Sequence, residues 1–262
     1  RRVWAPLAED LAALRGRPLE ELTPPRAEAS LMRIGSLWLA SLDLLGHGAA
    51  PGLQLAGAET DWMQFRDQVE AFLAECLALL PQVPKEVVAV GHSLGGGVLL
   101  TTQAFAERQR FSKMLIFEPM WLFVEPPLWK LINLPPLPPE TTKLEPPLVA
   151  QTLRRRSERP SRAAAHADLS KKDFFASWDP RIFEAYLQGG LKGQEPCSLA
   201  CSPQTEATIF LSGVPKPLLS ALQRGDGLFG CELHVCIGTN TMWTRVAADT
   251  LFGSLCPAAH VE

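Results

Sequence analysis

No stretch of this 262-residue sequence approaches the ~18–20 consecutive apolar residues that a membrane-spanning helix needs, so no span is expected. An excess of one charge is also missing. The 25 Lys and Arg residues face 28 Asp and Glu, a net charge of −3. That near-balance gives no electrostatic reason to expect a nucleic acid or an anionic membrane as partner. Two local basic groups, Arg154-Arg155-Arg156 and Lys171-Lys172, have no interleaved aromatics and read as solvated helix faces. Zinc-ribbon spacing is absent among the six cysteines. Cys197-x3-Cys201 and Cys231-x4-Cys236 have no histidine at finger distance. Several cysteines sit in apolar runs, where a thiol acts as a small hydrophobe, and this points to a reducing, cytoplasmic setting. There is no internal repeat, and nothing in the pattern calls for a metal or a cofactor.

What is present is ample material for a core, with 47% hydrophobic and 20% charged residues. The length suits one large domain, or a domain with an insertion. Val3 to Leu14 has helical apolar spacing, and a polar, proline-containing stretch follows to about Ser30. Leu37 to Leu44 reads as a buried parallel strand. Asp61 to Leu80 is the clearest helix, with Trp62, Phe65, Val69, Phe72, Cys76 and Leu80 on one stripe. Glu86 to Val90 and Lys113 to Glu118 read as strands, as does Cys231 to Ile237, with a helix over Trp243 to Leu255. Between Pro119 and Pro147 nine prolines exclude regular helices and central strands. Helical stretches follow at Leu148 to Ser157 and Asp179 to Leu187. The alternation predicts an α/β fold, a mostly parallel sheet with helices on both faces. It also predicts a helical, Pro-rich cap over 119–204, with the core formed by 1–118 and 205–262.

The strongest motif is Gly91-His92-Ser93-Leu94-Gly95, directly after the apolar run Glu86-Val87-Val88-Ala89-Val90. It reads as a strand, a sharp turn with serine at its apex, and a helix. Glycines two residues either side of Ser93 allow the backbone to turn without side-chain clashes. The Leu94 N–H becomes a donor for an oxyanion. The same letters also fit a glycine-rich turn with an incidental serine, but the flanking strand and helix favour a site.

Asp43-Leu44-Leu45-Gly46-His47-Gly48, the serine motif and Phe117-Glu118-Pro119 together resemble the α/β-hydrolase family, nearest its cap-bearing esterase and epoxide-hydrolase-like group. The resemblance implies Ser93 as a nucleophile forming an acyl-enzyme with a small, apolar ester, thioester or amide. A serine there disfavours epoxide chemistry, for which the family uses a carboxylate. The family's usual acid position, in the loop Gly238-Thr239-Asn240-Thr241-Met242, holds no Asp or Glu. Glu118 is the alternative acid, or else a structural carboxylate. Trp121 and Phe123, with Leu122 and Trp129, suggest an apolar entrance to the cap, or ordinary packing.

The base is harder to place. His92 adjoins the nucleophile and reads as structural; His47 reads as shaping its glycine turn. His166 reads as a cap-surface residue and His234 as a strand residue. His260 is the remaining candidate, although the resemblance places the base on a loop after the last strand, beyond Glu262. The family's second oxyanion donor, from a His-Gly loop, would likewise precede Val3. The expectation is therefore a fragment carrying the nucleophile, in which the strands ending at Asp43 and Val90 lose a shared neighbour. A non-catalytic binding protein on the same fold and an acyltransferase remain the alternatives.

Overall fold

The computed structural model describes residues 2–53, 62–119, 147–212, 218, 228, 230–239 and 259–261. In chain order the elements are α1 (Ala5–Leu14), β1 (Glu20–Leu22), β2 (Ala29–Ile34), β3 (Leu37–Leu42), α2 (Met63–Ala78), β4 (Val88–His92), α3 (Leu94–Ala104) and β5 (Lys113–Phe117). They continue with α4 (Pro147–Leu153), β6 (Glu158–Arg159), α5 (Arg162–Leu169), α6 (Asp173–Ala176), α7 (Pro180–Gly190), β7 (Leu191–Gly193), β8 (Cys197–Leu199), α8 (Pro203–Ser212), β9 (Glu232–Cys236) and β10 (Ala259–Val261). The chain divides into two units, one of Arg1–Gln54 with Ala150–Ala207 and the other of Leu55–Val149 with Thr208–Glu262.

The second unit holds a parallel sheet in the order β10-β9-β5-β4. Val88 to His92 pair in register with Lys113 to Phe117, which pair in turn with Glu232 to Cys236. Strand periodicity sends Ala89, Met114, Ile116, Leu233 and Val235 to one face, where all are 0–6% exposed. The opposite face is more open, with Val88, Val90 and Phe117 exposed by 49%, 40% and 38%. Helix α2 buries Phe65, Gln68, Phe72 and Cys76, a spacing of three or four residues that keeps them on one stripe.

The buried polar groups of helix α3 find partners inside and outside the helix, as they must once water is excluded. Thr101 and Thr102 donate to the carbonyls of Gly97 and Val98, both at 2.8 Å. Fully buried Gln103 donates to Leu228 O and accepts from the backbone N–H groups of Arg110 and Phe111. One amide side chain thus holds the end of α3 against the approach to β5. Arg110 Nε donates to Glu70 Oε1 at 2.8 Å, and so fastens α2 to the same segment.

The first unit corrects the reading of residues 20–42. Leu37–Leu42 is not a buried parallel strand; it pairs antiparallel with β2, which pairs antiparallel with β1. Its residues are half-buried or exposed. The cause is local, a two-residue Gly35-Ser36 hairpin loop between Ile34 and Leu37. Gly35 takes φ +61°, which glycine adopts at no steric cost in a tight hairpin. β1 and the start of β2 lie in the proline-containing stretch before Ser30.

Helices α5 and α7 with β7 and β8 enclose a cluster of Ala165, Leu169, Phe183, Leu187, Leu191 and Cys197, flanked by Phe175, Trp178, Tyr186 and Leu199. Ser161 caps α5 by accepting from Ala164 N, and Asp179 caps α7 by accepting from Arg181 N. The Arg162 guanidinium donates to the carbonyls of Leu187, Leu191 and Gly193 at 2.7–2.8 Å, tying the end of α7 to β7. The helices expected over Leu148 to Ser157 and Asp179 to Leu187 correspond to α4 and α7. The proline-dense segment, with Trp121, Leu122, Phe123 and Trp129, and the helix expected over Trp243 to Leu255 lie outside the described residues. Cys76, Cys197, Cys201, Cys231 and Cys236 are free thiols. Among the described residues no helix is long and apolar enough to cross a membrane.

Candidate active site

Strand β4 ends at His92 and α3 begins at Leu94, leaving Ser93 alone to make the turn. Its backbone takes φ 51°, ψ −117°. For a residue with a Cβ this is a sparsely populated conformation, costing about 1–3 kcal/mol, that persists only where its surroundings enforce it. The enforcing contacts are visible. Ser93 N donates to Phe117 O at 2.9 Å, which fixes the apex to β5, and Ser93 O accepts from Gly97 N at 3.2 Å as α3 begins.

The glycines around the apex are not equivalent. A Cβ on Gly91 would stand 2.8 Å from Gly95 C and Gly96 N, so strand and helix approach too closely there for any side chain. A Cβ on Gly96 would stand 2.5 Å from Ile116 Cγ2. At Gly95 a Cβ would meet nothing within 4 Å among the described residues. The sequence reading paired Gly91 with Gly95; sterically the pair is Gly91 with Gly96. The run Gly95-Gly96-Gly97 supplied a glycine in both places and did not show which one was needed.

Leu94 begins α3, so its N–H is among the first-turn donors that a helix leaves without an intrahelical acceptor. Such a donor beside the apex is placed to receive an anion.

One strand over, the same event recurs. Strand β5 ends at Phe117, and Glu118 takes φ 46°. Ser93 and Glu118 are the two non-glycine residues with positive φ among the described residues. They follow the paired strand-end residues His92 and Phe117. Glu118 N donates to Cys236 O at 3.0 Å, and Gly238 N donates to the Glu118 carboxylate at 2.7 Å. A Cβ on Gly238 would come within 3.0 Å of that oxygen, so glycine permits the close approach. The carboxylate therefore sits where the loop after β9 begins, the loop that carries no acid of its own.

The histidines are scattered. Burial lowers the pKa of His92 from its ordinary value, and the negative charge of Glu118 partly offsets this; the ring is neutral at pH 7. His234 Nε2 lies 2.5 Å from Glu232 Oε1, in a carboxylate that also takes Lys113 Nζ at 3.0 Å. His166 packs on Phe183 with ring centroids 5.3 Å apart and is exposed, as expected of a surface residue. His47 belongs to the first unit, where Nδ1 is 3.0 Å from Leu45 O. His260 lies inside β10, in register with His234. Among the described residues no histidine is hydrogen-bonded to the Ser93 hydroxyl.

The Alpha/beta hydrolase family model matches residues 2–248. No curated protein matches the sequence. Solved structures share the fold at low identity. A peroxisomal α/β-hydrolase from Saccharomyces cerevisiae is similar with TM-score 0.64 and 13% identity, over 86% of this chain and 59% of that one. The present chain thus spans well under two thirds of that protein. A thioesterase domain from the curacin biosynthetic pathway is similar with TM-score 0.61 and 13% identity, over 94% and 92% of the two chains. An esterase from Mycobacterium tuberculosis is similar with TM-score 0.59 and 14% identity, over 99% and 89%.

Proposed function

Because the chain belongs to the α/β-hydrolase family, we propose that it is built for serine-dependent cleavage of a small ester-like substrate, a carboxylic ester, thioester or amide. The observation that carries this reading is the positive-φ backbone of Ser93 at the end of a parallel strand. Strain of this kind serves to lift a hydroxyl clear of a sheet edge. In the reaction the Ser93 hydroxyl oxygen attacks the carbonyl carbon while its proton passes to a base, and the carbonyl oxygen becomes an anion facing the Leu94 N–H. Collapse of the tetrahedral adduct expels the alcohol, thiol or amine, and water then releases the acyl group from Ser93. A single backbone donor in such a hole contributes a factor on the order of 10² to 10³ in rate.

Glu118 is the acid of this reading. Its support is the twin positive φ beside Ser93 and a carboxylate already held by Gly238 N. His260 is the candidate base named from the sequence, and a histidine supplied from outside residues 1–262 is the alternative. Transfer of the acyl group to an acceptor other than water would use the same first half-reaction.

One observation favours a second reading, a non-catalytic binding protein: no histidine whose side chain is described is hydrogen-bonded to the Ser93 hydroxyl. A fluorophosphonate probe separates the two. Labelling of the wild-type chain that disappears in Ser93→Ala supports the hydrolase. A folded protein that does not label, shown folded by a cooperative thermal transition, supports the binding protein.

A further inference from the structure

The first unit contains a half-enclosed cavity of about 230 Å³ between the Asp43–Gly48 turn, helix α7 and the end of β8. None of its lining residues belongs to the serine turn or to Glu118. An apolar cavity of ~150 Å³ already takes up benzene, so this volume accommodates a six-membered ring with a substituent.

The walls define the ligand. Gly189 and Gly190, in the last turn of α7, line it without side chains, and Val3, Ala185 and Leu199 add apolar surface. The result is a flat, greasy slot. Its charged side chains already have hydrogen-bond partners. Arg155 pairs with Glu206, Arg2 donates to Gln188, and Asp43 accepts from Ala49 N. An ionic ligand would have to compete with these bonds.

Two neutral polar groups are left facing the cavity. His47 lines it, and the hydrogen bond of its Nδ1 to Leu45 O makes Nδ1 the protonated nitrogen. Nε2 is then an acceptor with no partner among the described residues. Burial lowers the pKa of this ring, against weaker opposing pulls from Leu45 O, Glu206 and Asp43, which keeps it neutral. Tyr186 also lines it, with its ring held by Phe175 and Trp178 at centroid distances of 5.2 and 5.7 Å. Burial raises the phenol pKa, so the O–H proton is retained and can donate. A ligand hydroxyl does what both groups ask, donating to one and accepting from the other.

We propose that this cavity is a binding site for a small apolar ring carrying one hydroxyl group, with the hydroxyl held between His47 and Tyr186 and the ring lying against Gly189 and Gly190. The site stands apart from the hydrolase reading and uses no group of it.

The test is a titration of the whole chain with phenol, and separately with anisole, whose methylated oxygen cannot donate, followed by amide chemical shifts. Phenol is expected to saturate and to move the amides of Ala185, Gly189, Gly190 and Ala200. Anisole is expected to bind at least about tenfold more weakly, because the half-buried His47 acceptor is left unpaired. Ala185→Leu, which fills the slot and touches no polar group, is expected to weaken phenol at least about tenfold while the thermal midpoint is kept. His47→Phe is expected to erase the preference for phenol over anisole. If that variant fails to fold, the wild-type ratio and Ala185→Leu still decide. Equal binding of phenol and anisole overturns the proposal, as does an unaffected Ala185→Leu or a set of shifted amides elsewhere in the chain.

Discussion

Two turns in this molecule carry a histidine beside a glycine at the end of a strand, and they handle backbone strain in opposite ways. In Asp43–Gly48 the positive φ angles fall on glycines, +76° at Gly46 and +51° at Gly48. The loop closes on itself, with Gly46 N bonded to Pro51 O, Ala49 N to the Asp43 carboxylate and His47 N to Leu44 O. In Gly91–Gly95 the positive φ falls on Ser93, with glycines on either side of it. The first turn is relaxed and half-buries its histidine. The second is strained and pushes its serine outward. The lesson concerns where the cost is placed, since a glycine absorbs positive φ without penalty and a serine does not. Strain kept at a residue with a functional side chain is the mark of a site.

The comparison is tested most severely by Ser93→Ala. Fluorophosphonate labelling should fall to background and ester turnover by a factor on the order of 10⁴ or more, with the thermal midpoint nearly unchanged. Persistent labelling would mean that another residue is the nucleophile.

Next in size are the close approaches. Gly91→Ala and Gly96→Ala put a methyl group against backbone or Ile116, and Gly48→Ala drives one into the Asp43 carboxylate at a positive φ. Each should lose about 2–3 kcal/mol in urea unfolding. Gly95→Ala is the control, expected to stay within about 0.5 kcal/mol of the parent or to gain, since alanine favours a helix. Equal losses at Gly95 and Gly96 would contradict the steric assignment.

Ser93→Gly separates strain from chemistry. Removing the Cβ from a positive-φ position should raise stability by about 1 kcal/mol while abolishing labelling, a trade expected where function keeps a conformation the fold would rather avoid. Loss of stability in this variant would show that the serine side chain supports the turn.

The smallest effect is the pH dependence. Burial lowers the pKa of His47, and of His92, in the folded chain. Below the unfolded value of about 6.5 the unfolded state binds a proton that the folded state refuses, so stability falls as pH drops through that range. Urea midpoints measured from pH 8 to pH 5 should decline. His47→Gln and His92→Gln should each flatten the slope, and a variant that leaves the slope unchanged identifies a histidine with no share in it.

Much of the second unit was legible in the sequence because its signals are local or strongly periodic. The stripe on α2, the apolar runs of β4, β5 and β9, and the glycine turn between β4 and α3 follow from spacing alone. Ser93 and its helix-start neighbour Leu94 were legible for the same reason. The first unit was read less well. Leu37–Leu42 has the composition of a parallel core strand, yet the Gly35-Ser36 pair before it joins it to Ala29–Ile34 as a hairpin. That dipeptide between two apolar runs is a hairpin signal, and it outweighed the apolar run.

By itself the sequence determined the stripe of α2, the strands β4, β5 and β9 and the apex serine, because strand and helix periodicity and the chemistry of a glycine turn are properties of neighbouring residues. Only the tertiary structure decided which glycine matters, since that depends on how near Ile116 comes to Gly96. Only it put Glu118 in the same strained state as Ser93 and joined its carboxylate to Gly238, a contact across 120 residues. Only it enclosed a cavity between the Asp43–Gly48 turn and α7. Spacing along the chain reports what a residue can do, whereas strain, close approach and enclosure arise between segments that sequence separation keeps apart.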